Sequence, residues 1–389
     1  MLAMQDILQH FTDRILQASK TGQPLRFRGG GTKNFLGQSL QGEVLDTTPY
    51  SGILSYEPSE LVITVRCGTS LAEVEAALAQ KGQCFAFEPP HFGKGATIGG
   101  MVAAGLSGPA RASVGSVRDF VLGARVINGK GEHLTFGGQV MKNVAGYDVS
   151  RLLAGSWGQL GLITEVSLKV LPVAPGEATL VCAGVSQAQA LKLINQWGGQ
   201  PLPLNASAWV HDTTASPAQD YFFVRLRGAV AAVDAAMVKM SAEVKALGAQ
   251  VTFMDRAQAE ADWQASGEQT LDFFKAPTEQ DCLWRVSVPT APVLDVRVNG
   301  AACAQYVEWH GAQRWLWAPA SAATQVREAA VQAGGHVTLF RTSAASQQTL
   351  GDVDKQVGVY TPLNAVQQRI QNELKKQFDP AGVLNPGRA

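Results

Sequence analysis

Residues 94–108 read Lys-Gly-Ala-Thr-Ile-Gly-Gly-Met-Val-Ala-Ala-Gly-Leu-Ser-Gly, and few of these side chains can fill space. The five glycines leave peptide N–H groups uncovered, so that a ligand or another chain segment can approach the backbone closely. Such a segment is typical of a backbone nest or a helix start that binds a phosphate group. The stretch therefore predicts a fold organised around close backbone approach to an anion.

A second glycine loop lies upstream, where Arg28-Gly-Gly-Gly-Thr-Lys33 follows a short strand-like run at 24–27. Two separated anion loops suggest one elongated cofactor that contains phosphate. The loop is not a Rossmann fingerprint, because Asn34 stands where the last glycine is needed, and it is not a P-loop, because Gly-Thr-Lys has the wrong order. Glycine content alone leaves ordinary turns without a ligand as an equal alternative.

The composition excludes several classes of protein. Lys plus Arg and Asp plus Glu both number 32 among 389 residues, so no net charge favours nucleic acid or an anionic membrane surface. The five cysteines are scattered without a Cys-x-x-Cys pair, which favours a reducing compartment and no iron–sulfur or zinc site. Residues 1–18 are typical of an amphipathic helix, and no apolar run is long enough to span a bilayer.

The order of predicted elements favours an α+β fold. Short β-rich runs alternate with glycine turns between residues 24 and 171, and 71–81 is the one clear helix among them. The Pro/Gly cluster at 172–176 predicts a domain boundary. Beyond it, strands and helices alternate as in a small sheet with helices on one face, and the polar segment 344–359 is interpreted as a return linker before a final helix at 361–378.

Several segments, taken in order, resemble the FAD-binding domain of the vanillyl-alcohol-oxidase and p-cresol-methylhydroxylase (PCMH) type. They are residues 28–34, 89–105, 115–119, 142–148, 158–164 and 385–388. The resemblance implies a two-subdomain, PCMH-type FAD-binding domain at 1–172 and a smaller, reduced α+β cap at 173–343 that docks partners. Residues 344–389 would be the return linker, with a C-terminal helix and tail on the FAD domain. More narrowly, residues 96–109, 116–123 and 138–153 resemble the FAD-binding subunits of bacterial glycolate oxidases, also called glycolate dehydrogenases.

The resemblance implies a set of FAD contacts. They are Arg28, Gly29, Gly30, Gly31, Thr32, Lys33, Pro90, Ala96, Thr97, Ile98, Gly99, Gly100, Ala104, Gly105, Gly108, Arg118, Asp119, Lys142, Asn143, Tyr147, Gly161, Ile163 and Asn385. The amides of 28–32 and 96–100 would hold the diphosphate, 105–108 with Arg118 and Asp119 would lie near the flavin end, and 161–164 would face the adenosine. Lys142 as a surface charge, Arg118 as an ion-pair partner and Tyr147 as a core residue remain ordinary alternatives.

Two departures from the family shape the expected chemistry. Members with covalent FAD usually carry a histidine beside the first loop, whereas Thr32 and Lys33 stand here, so FAD is expected to be non-covalent. The His-rich metal motif of hydroxy-acid dehydrogenases is reduced to His336, so no metal site is expected. Oxidation of a hydroxy acid needs an arginine for the carboxylate and a base for the hydroxyl proton. The candidates are His310, His336 and Arg341, with Glu308 beside them, and each also fits a structural role.

These inferences predict an FAD-binding subunit of a multi-subunit glycolate dehydrogenase, which oxidises glycolate to glyoxylate. Its partners would be a larger FAD-binding subunit, on which substrate oxidation is centred, and an iron–sulfur subunit. The alternatives are a self-sufficient FAD-dependent 2-hydroxy-acid dehydrogenase, another flavin oxidoreductase, or a flavin-free scaffold. The expected location is cytoplasmic, and contact of the complex with the inner membrane is left open.

Overall fold

The computed structural model describes residues 4–138, 148–214, 216–348 and 352–388. The chain divides into two compact units of nearly equal length. The first holds Met1–Ser107, Gly115–Val173 and Pro362–Ala389, and the second holds Gly108–Val114 and Ala174–Thr361. Each unit is therefore assembled from separated parts of the chain.

Short strands and helices alternate along the chain up to residue 173. The helices are α1 (Met4–Thr21), α2 (Leu71–Ala79), α3 (Ile98–Ala104), α4 (Arg111–Val114), which belongs to the second unit, and α5 (Val117–Phe120). The strands are β1 (Leu25–Arg28), β2 (Glu43–Asp46), β3 (Ile53–Glu57), β4 (Val62–Arg66), β5 (Gln83–Cys84), β6 (Val121–Ile127), β7 (His133–Gly137), β8 (Leu162–Lys169) and β9 (Leu171–Pro172).

Two groups of strands organise the first unit. Strands β3, β4, β8, β6 and β7, in that order, form an antiparallel five-stranded sheet. Strands β1 and β2 form a separate parallel pair, which Leu384 extends by a parallel bridge to Leu25. The α+β fold predicted from the sequence is confirmed in this arrangement.

Helix α1 covers the core that β1 and β2 share with the C-terminal tail. Ile7, Phe11 and Ile15 recur every fourth residue and are buried, so the predicted amphipathic helix is confirmed. The same cluster contains Val383 and Leu384. The tail is therefore part of the core of the first unit.

The second glycine-rich stretch forms helix α3. Thr97 caps its first turn by accepting a hydrogen bond from Gly100 N–H, and Gly105 ends it in the left-handed conformation with φ of 65°. A Cβ on Gly105 would lie 2.8 Å from the Cα of Gly155, so this helix end packs directly against another backbone segment. Glycine at 105 is thus required by both the turn and the close approach.

The second unit contains a large sheet and several helices. Its helices beyond α4 are α6 (Gln187–Gly198), α7 (Val230–Lys245), α8 (Arg256–Glu268), α9 (Ala323–Gln332) and α10 (Ala344–Gln347). Its strands are β10 (Gly176–Ala183), β11 (Leu204–Asp212), β12 (Gln219–Gly228), β13 (Gln250–Phe253), β14 (Asp281–Ser287), β15 (Arg297–Val298), β16 (Ala301–Ala302), β17 (Gln305–Glu308), β18 (Gln313–Pro319) and β19 (His336–Arg341).

Eight of these strands form one antiparallel sheet in the order β13, β10, β12, β11, β17, β18, β14, β19. Leu180 and Val224 pack into a core with α6 and α7 on one face. Thr179 alternates with Leu180 and accepts a hydrogen bond from Trp263 of α8, so α8 lies on the other face. The prediction of a small sheet with helices on one face is therefore wrong in both respects.

The return to the first unit occurs later in the chain than predicted. Residues 344–361 belong to the second unit, not to a linker. Ala345 N–H donates to Glu279 O, and the Asp354 carboxylate accepts from Ser343 N–H, so local hydrogen bonds hold this segment to the unit. The C-terminal helix α11 (Ala365–Phe378) follows in the first unit. Among the described residues, no helix has both the length and the apolar character that crossing a membrane requires.

Candidate functional site

A cavity of about 110 Å³ opens in the first unit where the first glycine loop leaves β1. The loop lines one side, and Gly161, Leu162 and Ile163 at the start of β8 line another. Trp157 and the tail residues Asn385 and Arg388 complete the wall. The volume fits one section of an elongated cofactor rather than a whole dinucleotide.

The first glycine loop supplies unused hydrogen-bond donors to this cavity. Within the described part of the chain, the N–H groups of Gly29, Gly30 and Gly31 have no hydrogen-bond partner. Arg26 also lines the cavity, and its buried Nε atom has no partner there. A buried donor such as Arg26 Nε normally finds an acceptor. An anionic diphosphate would satisfy both sets of donors, so the residues present fit the phosphate section of FAD.

The two glycine loops pack backbone against backbone. A Cβ on Gly30 would lie 1.5 Å from the carbonyl oxygen of Gly95, and one on Gly29 would lie 2.2 Å from Thr97 Oγ1. Neither approach is possible for a larger residue. These two glycines therefore place the loops in contact, while Gly31, with φ of 73°, provides the turn.

The second loop has a different part in the site from the one expected. Ile98 N–H donates to Thr69 O, and Gly99 N–H donates to Cys67 O at 2.8 Å. These amides are already used inside the protein and are not available to a diphosphate. Thr97, Gly99 and Gly100 line the cavity with small atoms instead, so this loop supplies space rather than N–H donors.

The C-terminal tail holds the first loop from outside. Asn385 Oδ1 accepts from Phe27 N–H at 2.8 Å, and Asn385 Nδ2 donates to Trp157 O at 2.6 Å. The Arg388 guanidinium lies 4.9 Å from the centre of the Trp157 ring and is 6% exposed. It donates to the carbonyl oxygens of Lys33, Leu36 and Gln38. The tail thus fixes the loop that carries the unused amides.

Of the residues expected to contact FAD, those that line the cavity come from both loops, β8 and the tail. They are Arg28, Gly29, Gly30, Gly31, Thr32, Lys33, Thr97, Gly99, Gly100, Gly161, Ile163 and Asn385. Pro90, Ala96, Ile98 and Ala104 are buried and do not line it. Lys142, Asn143 and Tyr147 lie outside the described residues.

The remaining expected contacts lie elsewhere. Gly105 forms the end of α3, and Gly108 belongs to the second unit, where its carbonyl oxygen accepts from Trp309 Nε1 at 2.9 Å. Arg118 is exposed. Asp119 caps α5. Burial tends to raise the Asp119 pKa, but hydrogen bonds from Ser116 outweigh it and lower the pKa.

Sequence reasoning missed cavity residues that no glycine motif marks. Arg26 lies two residues before Arg28, where the loop begins. Trp157 lies among recurrent glycines, and Arg388 is the last residue of the Asn-Pro-Gly-Arg motif in the tail. The Asn-Pro-Gly motif was the signal that could have indicated Arg388, because an arginine directly after this motif lies close to the segment that the motif contacts. Trp157 offered none, because its left-handed backbone (φ of 54°) appears only in the fold.

A cationic cluster forms in the second unit around Trp309. The Cζ atoms of Arg111 and Arg285 lie 4.4 Å and 5.4 Å from the centre of this indole ring. Within the described part of the chain, the Arg285 side chain has no hydrogen-bond partner. Burial and the neighbouring Arg111 lower the Arg285 pKa to about 10. A carboxylate placed here would relieve the repulsion and accept the unused donors.

The backbone at this cluster is strained. Trp309 and His310 both adopt positive φ, at 52° and 55°, which is uncommon for such side chains. Both ring nitrogens of His310 form hydrogen bonds, Nε2 with Ser113 Oγ at 2.8 Å and Nδ1 with Ser207 Oγ at 2.9 Å. These bonds hold the strained turn against residues 108–114. Strain of this kind is often retained at functional sites.

Glu308 is a buried carboxylate beside the cluster. It is 5% exposed and accepts hydrogen bonds from Trp315 Nε1 at 2.6 Å and from Gln313 Nε2. Burial raises its pKa, while these bonds and Arg285 act in the opposite direction. Glu308 therefore orients the Trp315 side chain and partly balances the arginines.

The three expected catalytic residues differ in their surroundings. Burial lowers the His310 pKa to about 4, and both of its nitrogens are engaged, so it is poorly suited to act as a base. Arg341 Nη2 donates to Gln269 Oε1. His336 is largely exposed, and partial burial together with the charge of Arg285 lowers its pKa. Of the three residues, only His336 is both accessible to a ligand and close to the Arg285 cluster. Among the described residues, no three His, Cys, Asp or Glu side chains converge as metal ligands.

Comparison with known proteins identifies similar chains. The FAD binding domain family model matches residues 9–137. The glycolate oxidase subunit GlcE of Escherichia coli K12 is 41% identical over 389 residues, covering 100% of this chain and 99% of that one. The glycolate oxidase subunit GlcD of Bacillus subtilis is 34% identical over 161 residues, which cover 41% of this chain and 34% of that one. A solved structure of alkyldihydroxyacetonephosphate synthase covers 98% of this chain and 76% of its own, with a TM-score of 0.71 and 14% identity, and so supports the fold alone.

Proposed function

This chain belongs to the family of the glycolate oxidase subunit GlcE, and on that premise we propose that it is the FAD-binding subunit of a glycolate dehydrogenase. The observation that carries the proposal is the cavity in which the free amides of Gly29, Gly30 and Gly31 meet Arg26. FAD, when bound, supplies a group that accepts and donates electrons. The chain's own residues bind its phosphate section and fix the loop around it. Thr32 and Lys33 offer no histidine for attachment, so the binding is non-covalent.

The multi-subunit part of the proposal rests on the relatives and on the cysteines. Both GlcE and GlcD are named as subunits of glycolate oxidase. Burial raises the pKa of Cys67, Cys182 and Cys282 to about 12, so these thiols are poor metal ligands. Electrons would therefore pass to carriers on other chains. A larger FAD subunit and an iron–sulfur subunit are the proposed partners.

Purification of the chain alone and with the two partner subunits tests this function. We expect a yellow protein from which acid precipitation releases all the flavin, and glycolate-dependent dye reduction only in the complex. A chain that neither carries flavin nor takes up added FAD would contradict the proposal. Flavin that remains with the acid-precipitated protein would contradict non-covalent binding.

The Arg111 and Arg285 pair favours a second candidate function, in which this chain itself binds a small carboxylate. Arg285 would donate to the carboxylate, Trp309 would hold both guanidinium groups in place, and neutral His336 would accept the hydroxyl proton. Ser287 pairs with His336 across β14 and β19, which places this histidine two residues along the ladder from Arg285.

Calorimetric titration of the full chain with oxalate, an unreactive analogue of glycolate, tests the second candidate. We expect Arg285→Gln to weaken binding by about tenfold or more, because a charged hydrogen bond is lost. Arg256→Gln, at an exposed position on α8, is the matched control and should leave binding unchanged. Equal oxalate binding by both variants would rule out this site, and bleaching of the flavin by glycolate in the isolated chain would favour it.

A further inference from the structure

A second cavity, of about 420 Å³, lies in the second unit on the face of the large sheet that carries α8. Its floor is formed by β11, β12, β17 and β18, and its cover by α8 and the segment 271–277. No step of the proposed function uses it. Its volume lies in the range of pockets that enclose a small organic molecule.

The space exists because small residues alternate with aromatic ones on the floor. Ala208 is paired with Phe223 across β11 and β12, and both line the cavity. Tyr306 and Trp317 provide further floor on β17 and β18, and Trp263 forms a wall on α8. These four aromatic rings, together with Phe273 of the covering segment, border the cavity around a small alanine.

The polar atoms of these aromatic side chains are already engaged. Trp263 Nε1 donates to Thr179 Oγ1 at 3.0 Å, and Trp317 Nε1 donates to Phe273 O at 2.7 Å. Tyr306 Oη and Ser266 Oγ share a hydrogen bond of 2.9 Å. The rings therefore present their apolar faces to the cavity, and a ligand that fills it gains burial and ring stacking rather than new hydrogen bonds.

The charges at the rim disfavour an anion. Asp212, Asp262 and Asp272 all line the cavity. Of the basic lining residues, Lys275 is paired with Asp272, and His211 contacts Asp220 at 2.6 Å. The excess of carboxylates would repel glycolate or another small acid. The cavity is therefore suited to a different ligand class from the arginine cluster.

We propose that this cavity binds an uncharged, planar aromatic molecule of about two fused rings, a size that a pocket of this volume encloses. The flat ring lies against Phe223, Trp263 and Trp317, and any polar substituent points to the rim. This inference is independent of the proposed flavin function, because no residue of the flavin cavity takes part.

Calorimetric titration of the full chain with 2-naphthol tests the proposal, since this probe is planar, uncharged at neutral pH and does not oxidise or reduce flavin. We expect saturable binding of one molecule per chain. Ala304 lines the cavity and is exposed, so Ala304→Trp should fill the entrance without disturbing the core and should weaken binding by about tenfold or more.

Ala302→Trp is the matched control, because Ala302 is exposed two residues away and does not line the cavity. It should bind 2-naphthol as the unchanged chain does, and thermal unfolding should show that both variants are folded. Absence of saturable binding to the unchanged chain would overturn the proposal. Equal binding by the two variants would overturn it as well, because the probe would then occupy another place.

Discussion

Gly30 shows at the scale of one residue why the first glycine loop tolerates no side chain. A Cβ there would overlap the carbonyl oxygen of Gly95 at 1.5 Å. We expect Gly30→Ala to separate the two loops and to displace the free amides. Most of the FAD bound per chain should then be lost during purification. The flavin absorbance per chain after purification measures this effect.

Gly198→Ala provides the control for that substitution. A Cβ on Gly198 would meet nothing within 4 Å. The change should leave the flavin content unaltered and stabilise the protein slightly, by about 0.5–1 kcal/mol, because alanine favours the helix. If Gly30→Ala retained flavin as Gly198→Ala does, close packing of the loops would not be needed for binding.

His310 makes stability depend on pH in a defined direction. Burial lowers its pKa from 6.5 to about 4 in the folded chain. The unfolded chain therefore binds a proton first as the pH falls, so the stability contributed by neutral His310 is lost between about 6.5 and 4.

The pH dependence of the unfolding temperature measures this loss. We expect His310→Asn, which tolerates the left-handed backbone, to flatten the dependence over that range. An unchanged profile in His310→Asn would assign the dependence to other groups.

The roles of individual residues could be predicted from the sequence where the local backbone conformation alone determines them. The glycines of the first loop are needed wherever that turn forms, so their motif indicated the cavity. The cluster of Arg111, Trp309 and Arg285 could not be predicted, because these residues are distant in the chain and only the fold brings them together. The free and used amides of the two loops also look alike in sequence, since their difference lies in the carbonyl oxygens of Cys67 and Thr69.

At the scale of elements, the C-terminal tail is the feature with the clearest consequence for FAD. Arg388 bonds three carbonyl oxygens around the first loop while it stacks on Trp157. Since a hydrogen bond from a charged group contributes about 1.5–3 kcal/mol, we expect Arg388→Ala to raise the FAD dissociation constant by about tenfold or more. Titration of the apoprotein with FAD checks this, and Arg388→Lys should recover part of the loss.

Arg369→Ala is the control for the tail, because Arg369 is exposed on α11 in the same part of the chain. Its FAD affinity should equal that of the unchanged protein. Equal affinity for Arg388→Ala would mean that the tail does not restrain the loop.

Elements with a strong apolar period were predicted well, and elements without one were missed. The helix predicted at 71–81 is confirmed as α2, and the amphipathic helix predicted at 1–18 as α1. Helix α8 was not predicted, because only Ala259, Trp263 and Ser266 of its residues are buried. A single tryptophan among alanines and polar residues gives no apolar stripe along the helix. Its hydrogen-bond partner, Thr179, is identified only by the tertiary structure.

At the scale of the whole molecule, two units with separate cores predict two unfolding events. The cluster around Phe11 and Leu384 lies in the first unit, whereas the clusters around Trp197 and Trp284 lie in the second. A ligand stabilises the unit that binds it, by about 2.7 kcal/mol at a free concentration one hundred times its dissociation constant.

Scanning calorimetry of the full chain measures these events. We expect FAD to raise the temperature of one transition and 2-naphthol to raise that of the other. A single transition that both ligands shift together would contradict the division into two thermodynamic units.

The position of Asn385 and Arg388 in the wall of the first cavity has a consequence during biosynthesis. The ribosome adds these residues only after it has made the entire second unit. A nascent or prematurely terminated chain can form β1 and its glycine loop but lacks the guanidinium that fastens it. Flavin capture thus becomes a late event that reports translation past the second unit, and truncated products would remain colourless and open to proteolysis.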